Sequence, residues 1–186
     1  MQNPKLLESI GIIKNGGIAV FPTDTAFGIG CRIDNEEAVK RLFAIKKRSE
    51  TQATPVLVES IQMAKAYFKN VSSDVEKLMQ HYWPGALTIV YPSKPEKVSS
   101  AIRGGTTTIG LRMPNHEIPL TIMKEIGVPV IGTSANFHGE PTPYAISDLN
   151  QELVKKVDVV IPGECSLKQA STVIDCSQKP LVAKRT

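Results

Sequence analysis

The sequence lacks the short motifs that usually mark a nucleotide-binding loop. No glycine is followed by lysine anywhere in the 186 residues, which excludes a Walker A phosphate loop. The stretch Gly28-Ile29-Gly30 lacks the third glycine of the dinucleotide-binding fingerprint. A nucleotide bound by this chain would therefore have to be held by other groups.

Cysteine and histidine are also scarce. The three cysteines form no Cys-x-x-Cys pair, which favours buried thiols in a reducing compartment over a zinc site. The three histidines show no metal-ligand spacing, so we predict no metal site built by the protein. Surface or helix-capping roles are expected for His81, His116 and His138.

Long apolar runs are missing as well. No stretch approaches the ~18 residues of a membrane span, and Lys5 and Glu8 interrupt the apolar residues at the start of the chain. We therefore expect a soluble, cytoplasmic protein that does not contact membranes. A net charge of +4 permits an anionic partner but is not typical of a DNA-binding protein. The densest basic run, 40–48, fits either a solvated helix face or a ligand site.

The hydrophobic pattern predicts an α/β domain. Helices are expected after Pro4 and up to Gly16, from the Asp34-x-x-Glu37 start signal to Lys46, over 60–68 and 73–82, and from Pro119 to Gly127. Strands are expected at 18–21, 55–58, 86–91, 107–113, 128–132, 157–161 and 171–175. Helices and strands alternate irregularly, which predicts one domain over 1–186 with a mixed sheet.

The stretch 132–136 has some features of a nucleophile elbow. Its last position is Asn136 where the motif requires glycine, and no His–acid pair accompanies it, so a serine hydrolase is disfavoured. Ser134 and Asn136 could bind a ligand. They could equally form a turn in which their side chains bond their own backbone.

Several short motifs follow one another along the chain: 22–30 (PTDTAFGIG), 46–48 (KKR), 83–88 (WPGALT), 111–114 (LRMP), 134–136 (SAN) with 139–143 (GEPTP), and the closing 171–175 (STVID). In this order and at these separations they resemble the YrdC/TsaC family. The resemblance covers nearly the whole chain. It implies a single domain with a twisted mixed parallel/antiparallel sheet, surrounded by helices, around a deep basic cavity. It also implies the short form of the family, without a C-terminal extension.

The resemblance further implies a two-stage reaction. L-Threonine would take up bicarbonate or CO2 to form a carbamate, which attacks the α-phosphorus of ATP and gives threonylcarbamoyladenylate and pyrophosphate. Mg²⁺ would be bound mainly through the ATP phosphates. The product would serve the threonylcarbamoyladenosine modification of tRNA, with threonylcarbamoyl-transferase proteins as partners.

The same resemblance assigns the site residues. Lys46 and Arg48 would be the catalytic pair that binds phosphate, although cations at a helix C-terminus can also be purely structural. The ATP contacts implied by the family are Lys46, Arg48, Thr108, Asn136, Tyr144 and Arg185. The threonine contacts implied by the family are Thr25, Arg112, Ser134 and Ser171.

The chain departs from the family pattern at three places. Phe27 stands where the family usually has tyrosine, Glu59 where many members have histidine, and 49–54 is about two residues longer than usual. A YciO-like paralogue with another substrate is therefore an alternative. An RNA-binding module that uses the basic cavity is a second, although aromatic residues make up only 5% of the chain and none is interleaved with the basic run in the manner of a stacking platform, since Phe43 is expected to face inward.

Overall fold

The computed structural model describes residues 4–49, 51–178 and 182–185. The α-helices in these ranges are α1 (Pro4–Lys14), α2 (Glu36–Lys46), α3 (Ile61–Tyr67), α4 (Ser73–Tyr82), α5 (Glu117–Ile126) and α6 (Gln151–Val154). The strands are β1 (Ala19–Phe21), β2 (Gly28–Gly30), β3 (Val56–Leu57), β4 (Leu87–Pro92), β5 (Thr108–Arg112), β6 (Val130–Ile131), β7 (Thr133–Ser134), β8 (Val159–Val160), β9 (Thr172–Asp175) and β10 (Val182–Arg185). The α/β class predicted from the sequence is confirmed.

The start of α2 differs from the prediction. We expected Asp34 to cap this helix, but Asn35 does so, because its Oδ1 accepts the N–H of Ala38 at 2.9 Å. The Asp34 carboxylate is engaged by the Arg32 guanidinium through two bonds of 2.6 and 2.7 Å. This bidentate pair competes successfully for the acceptor, so the neighbouring amide side chain takes the capping position.

The helix α5 also begins earlier than Pro119 indicated. His116 is its N-cap, and the Nδ1 of this histidine accepts the N–H of Ile118 at 3.1 Å. Pro119 lies in the first helical turn, where its missing N–H removes no intrahelical bond. The helix ends at Gly127, as predicted, with φ of 73° in the left-handed region that favours glycine.

The strands divide between two mixed sheets. The four-stranded sheet has the order β7-β2-β1-β8, in which β1 is antiparallel to β2 and parallel to β8. The six-stranded sheet has the order β10-β9-β4-β5-β3-β6, in which β4 is antiparallel to β5 and parallel to β9. The two sheets meet where β2 passes β6. Ile131 N–H donates to the Cys31 carbonyl at 2.9 Å, and a Cβ on Gly30 would lie 1.6 Å from the Ile131 carbonyl oxygen.

Apolar side chains form two clusters, which take alternate residues of β1, β3 and β6 and therefore lie on opposite faces of these strands. The larger cluster includes Ile29, Leu42, Met79 and Ile109, and the smaller one joins α1 and α5 to β1. All three cysteines are buried within the described chain, as predicted, and burial raises the pKa of the Cys31 thiol to about 12. The longest described helices have 11 residues, so none of the described helices could span a bilayer.

A buried arginine ties the two sheets together. Arg112, at the end of β5, donates from Nη2 to the Asp24 carboxylate and from Nη1 to the Thr25 hydroxyl at 2.7 Å. Its Nε donates to the Gly85 carbonyl at 3.0 Å. Asp24 and Thr25 follow β1, so the contact joins a turn of the four-stranded sheet to a strand of the six-stranded sheet. The side chains of Arg112 and Asp24 are 7% and 2% exposed.

We predict that Asp24→Ala destabilises the fold by about 3–5 kcal/mol, because it leaves the buried Arg112 charge without its partner. Asp24→Asn should cost less, since the amide oxygen can still accept from Nη2. The free energy of unfolding, measured by urea denaturation, tests both variants. Equal stability of Asp24→Ala and the unmodified protein would show that the pair does not support the fold.

Candidate active site

A cavity of about 570 Å³ lies against the inner face of the six-stranded sheet, beside the turn that follows β1. Side chains alternate between the two faces of a strand, and the lining residues follow this alternation. Thr88 and Val90 of β4 line the cavity, as do Thr108, Gly110 and Arg112 of β5, and Ser171 and Val173 at β9. The wall is thus built by one face of three adjacent strands.

Hydroxyl groups dominate the remaining surface of the cavity. The serine and threonine residues that line it are Thr23, Thr25, Thr54, Thr88, Thr106, Thr108, Thr133, Ser134, Thr142 and Ser171. Among the described lining residues, the charged side chains are those of Arg48 and Arg112. Such a surface suits a polar ligand with negative charge at more than one point, because hydroxyls and guanidinium groups both donate to anionic oxygens.

The turn after β1 fixes the position of the Thr25 hydroxyl through hydrogen bonds. Thr23 Oγ1 accepts the N–H groups of Thr25 and Ala26, each at 3.2 Å, and donates to the Ala26 carbonyl at 2.7 Å. The Thr25 hydroxyl also lies 3.0 Å from that of Thr23 and accepts from Arg112 Nη1 at 2.7 Å, so contacts with two residues fix its position.

The basic run at the end of α2 is divided between surface and interior. Arg41 and Lys47 are exposed, whereas Lys46 is 5% exposed and Arg48 is half-buried. The Lys46 ammonium donates to the Ser134 carbonyl at 2.5 Å and to the Asn136 carbonyl. Burial, with a smaller effect of the Arg48 charge, lowers the pKa of Lys46 to about 8. Lys46 lies behind Ser134 and is not among the lining residues.

Arg48 lines the cavity and binds the loop that follows it. Its Nε donates to the Gln52 carbonyl at 3.2 Å, and its Nη2 donates to the Ala53 carbonyl. Ala53 and Thr54 also line the cavity, so the longer 49–54 segment contributes directly to its wall. Burial lowers the pKa of Arg48 below its usual value, but a guanidinium remains charged at any physiological pH.

The polar segment after β6 contains one residue that lines the cavity and one whose side chain closes a local turn. Ser134 lies on β7 and lines the cavity. Asn136 lies outside the lining, and its Nδ2 donates to the Glu140 carbonyl at 2.6 Å, which closes a local turn. Tyr144 is also outside the lining, and its backbone N–H donates to the Asp148 carboxylate at 3.0 Å.

Of the site residues implied by the family resemblance, the cavity brings six together: Thr25, Arg48, Thr108, Arg112, Ser134 and Ser171. Lys46 and Asn136 contact each other just behind the wall, through Lys46 Nζ and Asn136 Oδ1 at 3.4 Å. The Arg185 side chain lies outside the described part of the chain. Thr54, Thr88, Thr106, Thr133 and Thr142 line the cavity as well and were not predicted. Alternation along the predicted strand 86–91 would have identified Thr88.

Two of the departures from the family pattern have different consequences. Phe27 is fully buried and lines the cavity, so its missing hydroxyl leaves an apolar patch in the wall. Glu59 lies outside the lining, where its carboxylate accepts from the Ser60 hydroxyl at 2.6 Å. No group of three or more histidine, cysteine, aspartate or glutamate side chains is arranged to hold a metal ion within the described residues.

Comparisons with known proteins agree with this architecture. A curated protein of Pyrococcus abyssi, threonylcarbamoyl-AMP synthase, is 34% identical over 97% of this chain and 53% of its own length. The protein of the same name from Bacillus subtilis is 28% identical over 94% of this chain and 51% of its own length. The chain thus spans about half the length of these curated relatives.

Solved structures match the fold closely. The crystal structure of Pyrococcus abyssi Sua5 complexed with L-threonine superposes with a TM-score of 0.91 at 32% identity, over 96% of this chain and 53% of that one. Escherichia coli YciO superposes with a TM-score of 0.88 at 25% identity, over 99% of this chain and 89% of that one. The model of the Sua5/YciO/YrdC family, described as telomere recombination, matches residues 11–186. The chain belongs to the Sua5/YciO/YrdC family.

Proposed function

We propose that this chain is a threonylcarbamoyl-AMP synthase, a nucleotidyltransferase that forms L-threonylcarbamoyladenylate and pyrophosphate from L-threonine, bicarbonate or CO2, and ATP. The observation that carries the proposal is one hydroxyl-rich cavity that contains two arginines, in a chain 34% identical to a protein of that name. Two separate guanidinium groups fit a pair of substrates that are both anionic: an amino acid with its carboxylate, and a nucleoside triphosphate.

Arg112 would bind the amino-acid carboxylate. Its planar guanidinium is held by Asp24, Thr25 and Gly85, so binding would require little further ordering of the side chain. Thr25, Ser134 and Ser171 line the same cavity and offer hydroxyls to the remaining polar atoms of L-threonine. The complex of Pyrococcus abyssi Sua5 with L-threonine supports this assignment by its similarity to the present fold.

The ATP end of the site would be formed around Arg48. Arg48 and Thr108 line the cavity, and Lys46 lies directly behind Ser134. The residues that we assign to ATP are Lys46, Arg48, Thr108, Asn136, Tyr144 and Arg185. Lys46 would reach the phosphates by exchanging its carbonyl contacts for phosphate oxygens. This exchange is favoured because a charge-assisted bond between two ions is stronger than one to a neutral carbonyl.

Charge determines what the protein must contribute to the reaction. A carbamate and a triphosphate repel one another, so their approach requires fixed cations and oriented donors. Arg112 and Arg48 would hold the two reactants in the same cavity, and Lys46 with Arg48 would stabilise the negative charge that accumulates on pyrophosphate. A Mg²⁺ ion bound to the phosphate oxygens would neutralise part of the same charge.

The product would be an activated donor for threonylcarbamoyladenosine formation in tRNA, in the cytoplasm, with threonylcarbamoyl-transferase proteins as the next users. The structural similarity to YciO keeps one alternative in view, namely a related enzyme with the same nucleotide site and another cosubstrate. The dependence of the reaction on threonine distinguishes the two.

We predict that the purified protein releases pyrophosphate from ATP only when L-threonine and bicarbonate are both present, because the carbamate is the nucleophile. A coupled pyrophosphate assay with each substrate omitted in turn measures this requirement. Pyrophosphate release at the same rate with and without L-threonine would favour the YciO-like alternative. Release of ADP and inorganic phosphate as main products would rule out the proposed adenylate chemistry.

Arg48→Lys should lower kcat/KM for ATP by about 10²–10³, the usual cost of losing one positioned donor to a developing negative charge. Lysine keeps the charge but lacks the fork that can bind two phosphate oxygens. Arg41→Lys is a matched control, since Arg41 belongs to the same basic run, lies on α2 just before Arg48, is exposed and pairs with Asp158. If both variants kept full activity at subsaturating ATP, Arg48 would have no role in catalysis.

ATP affinity should fall as the pH rises above about 8. Only the protonated Lys46 attracts phosphate, and its pKa in the ligand-free protein is lowered to about 8. Kd for a non-hydrolysable ATP analogue, measured by calorimetry from pH 6.5 to 9.5, should therefore increase by up to about tenfold per pH unit on the alkaline side. Lys46→Arg should remove this dependence, and Lys47→Arg should retain it. An affinity that is constant across pH 8 in the unmodified protein would contradict the assignment.

A further inference from the structure

One glycine in the cavity lining is not required by the packing of the protein itself. A Cβ on Gly132 would lie 2.5 Å from the Leu57 side chain, and a Cβ on Gly28 would lie 3.3 Å from a phenylalanine ring, so both positions leave little room. The described atom nearest to a Cβ on Gly110 would be Thr88 Cγ2 at 3.4 Å, which is ordinary van der Waals contact. The protein therefore has space for a methyl group at Gly110.

The backbone at Gly110 does not require glycine either. Gly110 is the central residue of β5 and lacks the positive φ of a glycine such as Gly127. Glycine weakens a strand, and inside a strand it often marks a place where another group approaches the backbone closely. Gly110 lines the cavity together with Thr108 and Arg112, the alternate residues of the strand. The approaching group is therefore expected on the cavity side.

Gly110 lies midway between the two ends of the proposed site. On the cavity face of β5, Thr108 is assigned to ATP and Arg112 to the amino-acid carboxylate, and each lies two residues from Gly110, about 7 Å along the strand. In the proposed reaction a carbamate oxygen, a few bonds from that carboxylate, forms a bond to the α-phosphorus of ATP. The bond from the α-phosphorus to the oxygen that bridges it to the β-phosphorus breaks, and pyrophosphate leaves with the electron pair. Substrates that lie along β5 therefore react above Gly110.

Apolar side chains flank Gly110 across the sheet. Val90 is its partner on β4. Pro55 lies beside it on the other side, because Val56 pairs with Leu111 in parallel. Both Val90 and Pro55 line the cavity. The side chains at this level are aliphatic or absent, so this part of the cavity floor constrains a ligand by its shape and not by hydrogen bonds.

We propose that Gly110 determines whether the reaction centre can form: because it has no side chain, the carbamate and the α-phosphate can meet against the floor of the cavity. The proposal rests on the proposed function, which places the carboxylate at Arg112 and the nucleotide near Thr108. A side chain at Gly110 would stand between the reacting groups and leave the residues at both ends of the site unchanged. It would therefore hinder the reaction more than the binding of either substrate alone.

Gly110→Ala is the central test, because it adds a single methyl group at this point. A displacement of reacting atoms by about 1 Å can cost about 10²-fold, so kcat for pyrophosphate release should fall about 10- to 100-fold. Calorimetric Kd values for L-threonine alone and for a non-hydrolysable ATP analogue alone should change less than about threefold. The melting temperature should stay the same or rise, since alanine loses less conformational entropy in a strand than glycine does.

Gly11→Ala is the matched control for the same chemical change. Gly11 lies on α1 and outside the cavity lining, and outside its own helix backbone an added Cβ would meet no described atom within 4 Å. This variant should also keep or raise the melting temperature, because alanine favours a helix over glycine. Its kcat should equal that of the unmodified protein. A loss of activity confined to Gly110→Ala thus reports on the cavity.

The other outcomes would overturn the proposal. Full kcat in folded Gly110→Ala would show that the reaction does not need this space. A lower kcat with a lower melting temperature would show that the methyl group disturbs the sheet, and a weaker Kd for one substrate with unchanged kcat would place Gly110 in that subsite alone. If Gly110→Ala does not fold, Gly110→Ser replaces it with the same expectation, and failure of both to fold would show that the fold requires this glycine.

The unmodified protein separates failure of this inference from failure of the proposed function. If it releases no pyrophosphate with ATP, L-threonine and bicarbonate, the proposed function fails and the inference falls with it. If it does release pyrophosphate, the comparison of Gly110→Ala with Gly11→Ala tests the inference by itself.

Discussion

The buried guanidinium of Arg112 is the constraint on which both the fold and the cavity depend. It contacts a carboxylate and a hydroxyl from the turn after β1, and a carbonyl from the segment before β4. An isolated buried cation would cost several kcal/mol, so stable packing of the two sheets requires these partners. The same requirement orients the guanidinium toward the cavity, which means that folding and preorganisation of the site are achieved by one set of contacts.

Lys46 and Arg48 are also held in place by hydrogen bonds within the protein. Each donates to backbone carbonyls, Lys46 to the turn around Ser134 and Arg48 to the loop at 52–53. These carbonyls keep the cations ordered without neutralising their charge, whereas a carboxylate partner would neutralise it. Arg41, earlier in the same basic run, is exposed and pairs with Asp158, so the residues of this run lie in two different environments.

Local sequence patterns predicted most of the helices and strands, and they failed at a few positions. Spacing of apolar residues and the glycine stops predicted α1, α4 and most strands of the six-stranded sheet, because these signals depend on neighbours within a few residues. The short strands β2 and β7 were missed because Gly28–Gly30 contains two glycines and Thr133–Ser134 is too short to show alternation; β2 pairs with β1 on one side and with β7 on the other. The cap of α2 was misplaced by one residue, because Arg32 takes the Asp34 carboxylate.

The sequence by itself determined the α/β class, the burial of the cysteines, and the residue types from which an anion site could be built. The family motifs also singled out six residues that do line one cavity. Only the tertiary structure decided which hydroxyls face that cavity, that Lys46 lies behind Ser134, and that Thr88 contacts Ser171. The physical reason is distance along the chain: the side-chain partners of Arg112 and Thr88 are more than 80 residues away, and only the packing of the two sheets and the pairing of β4 with β9 bring them together.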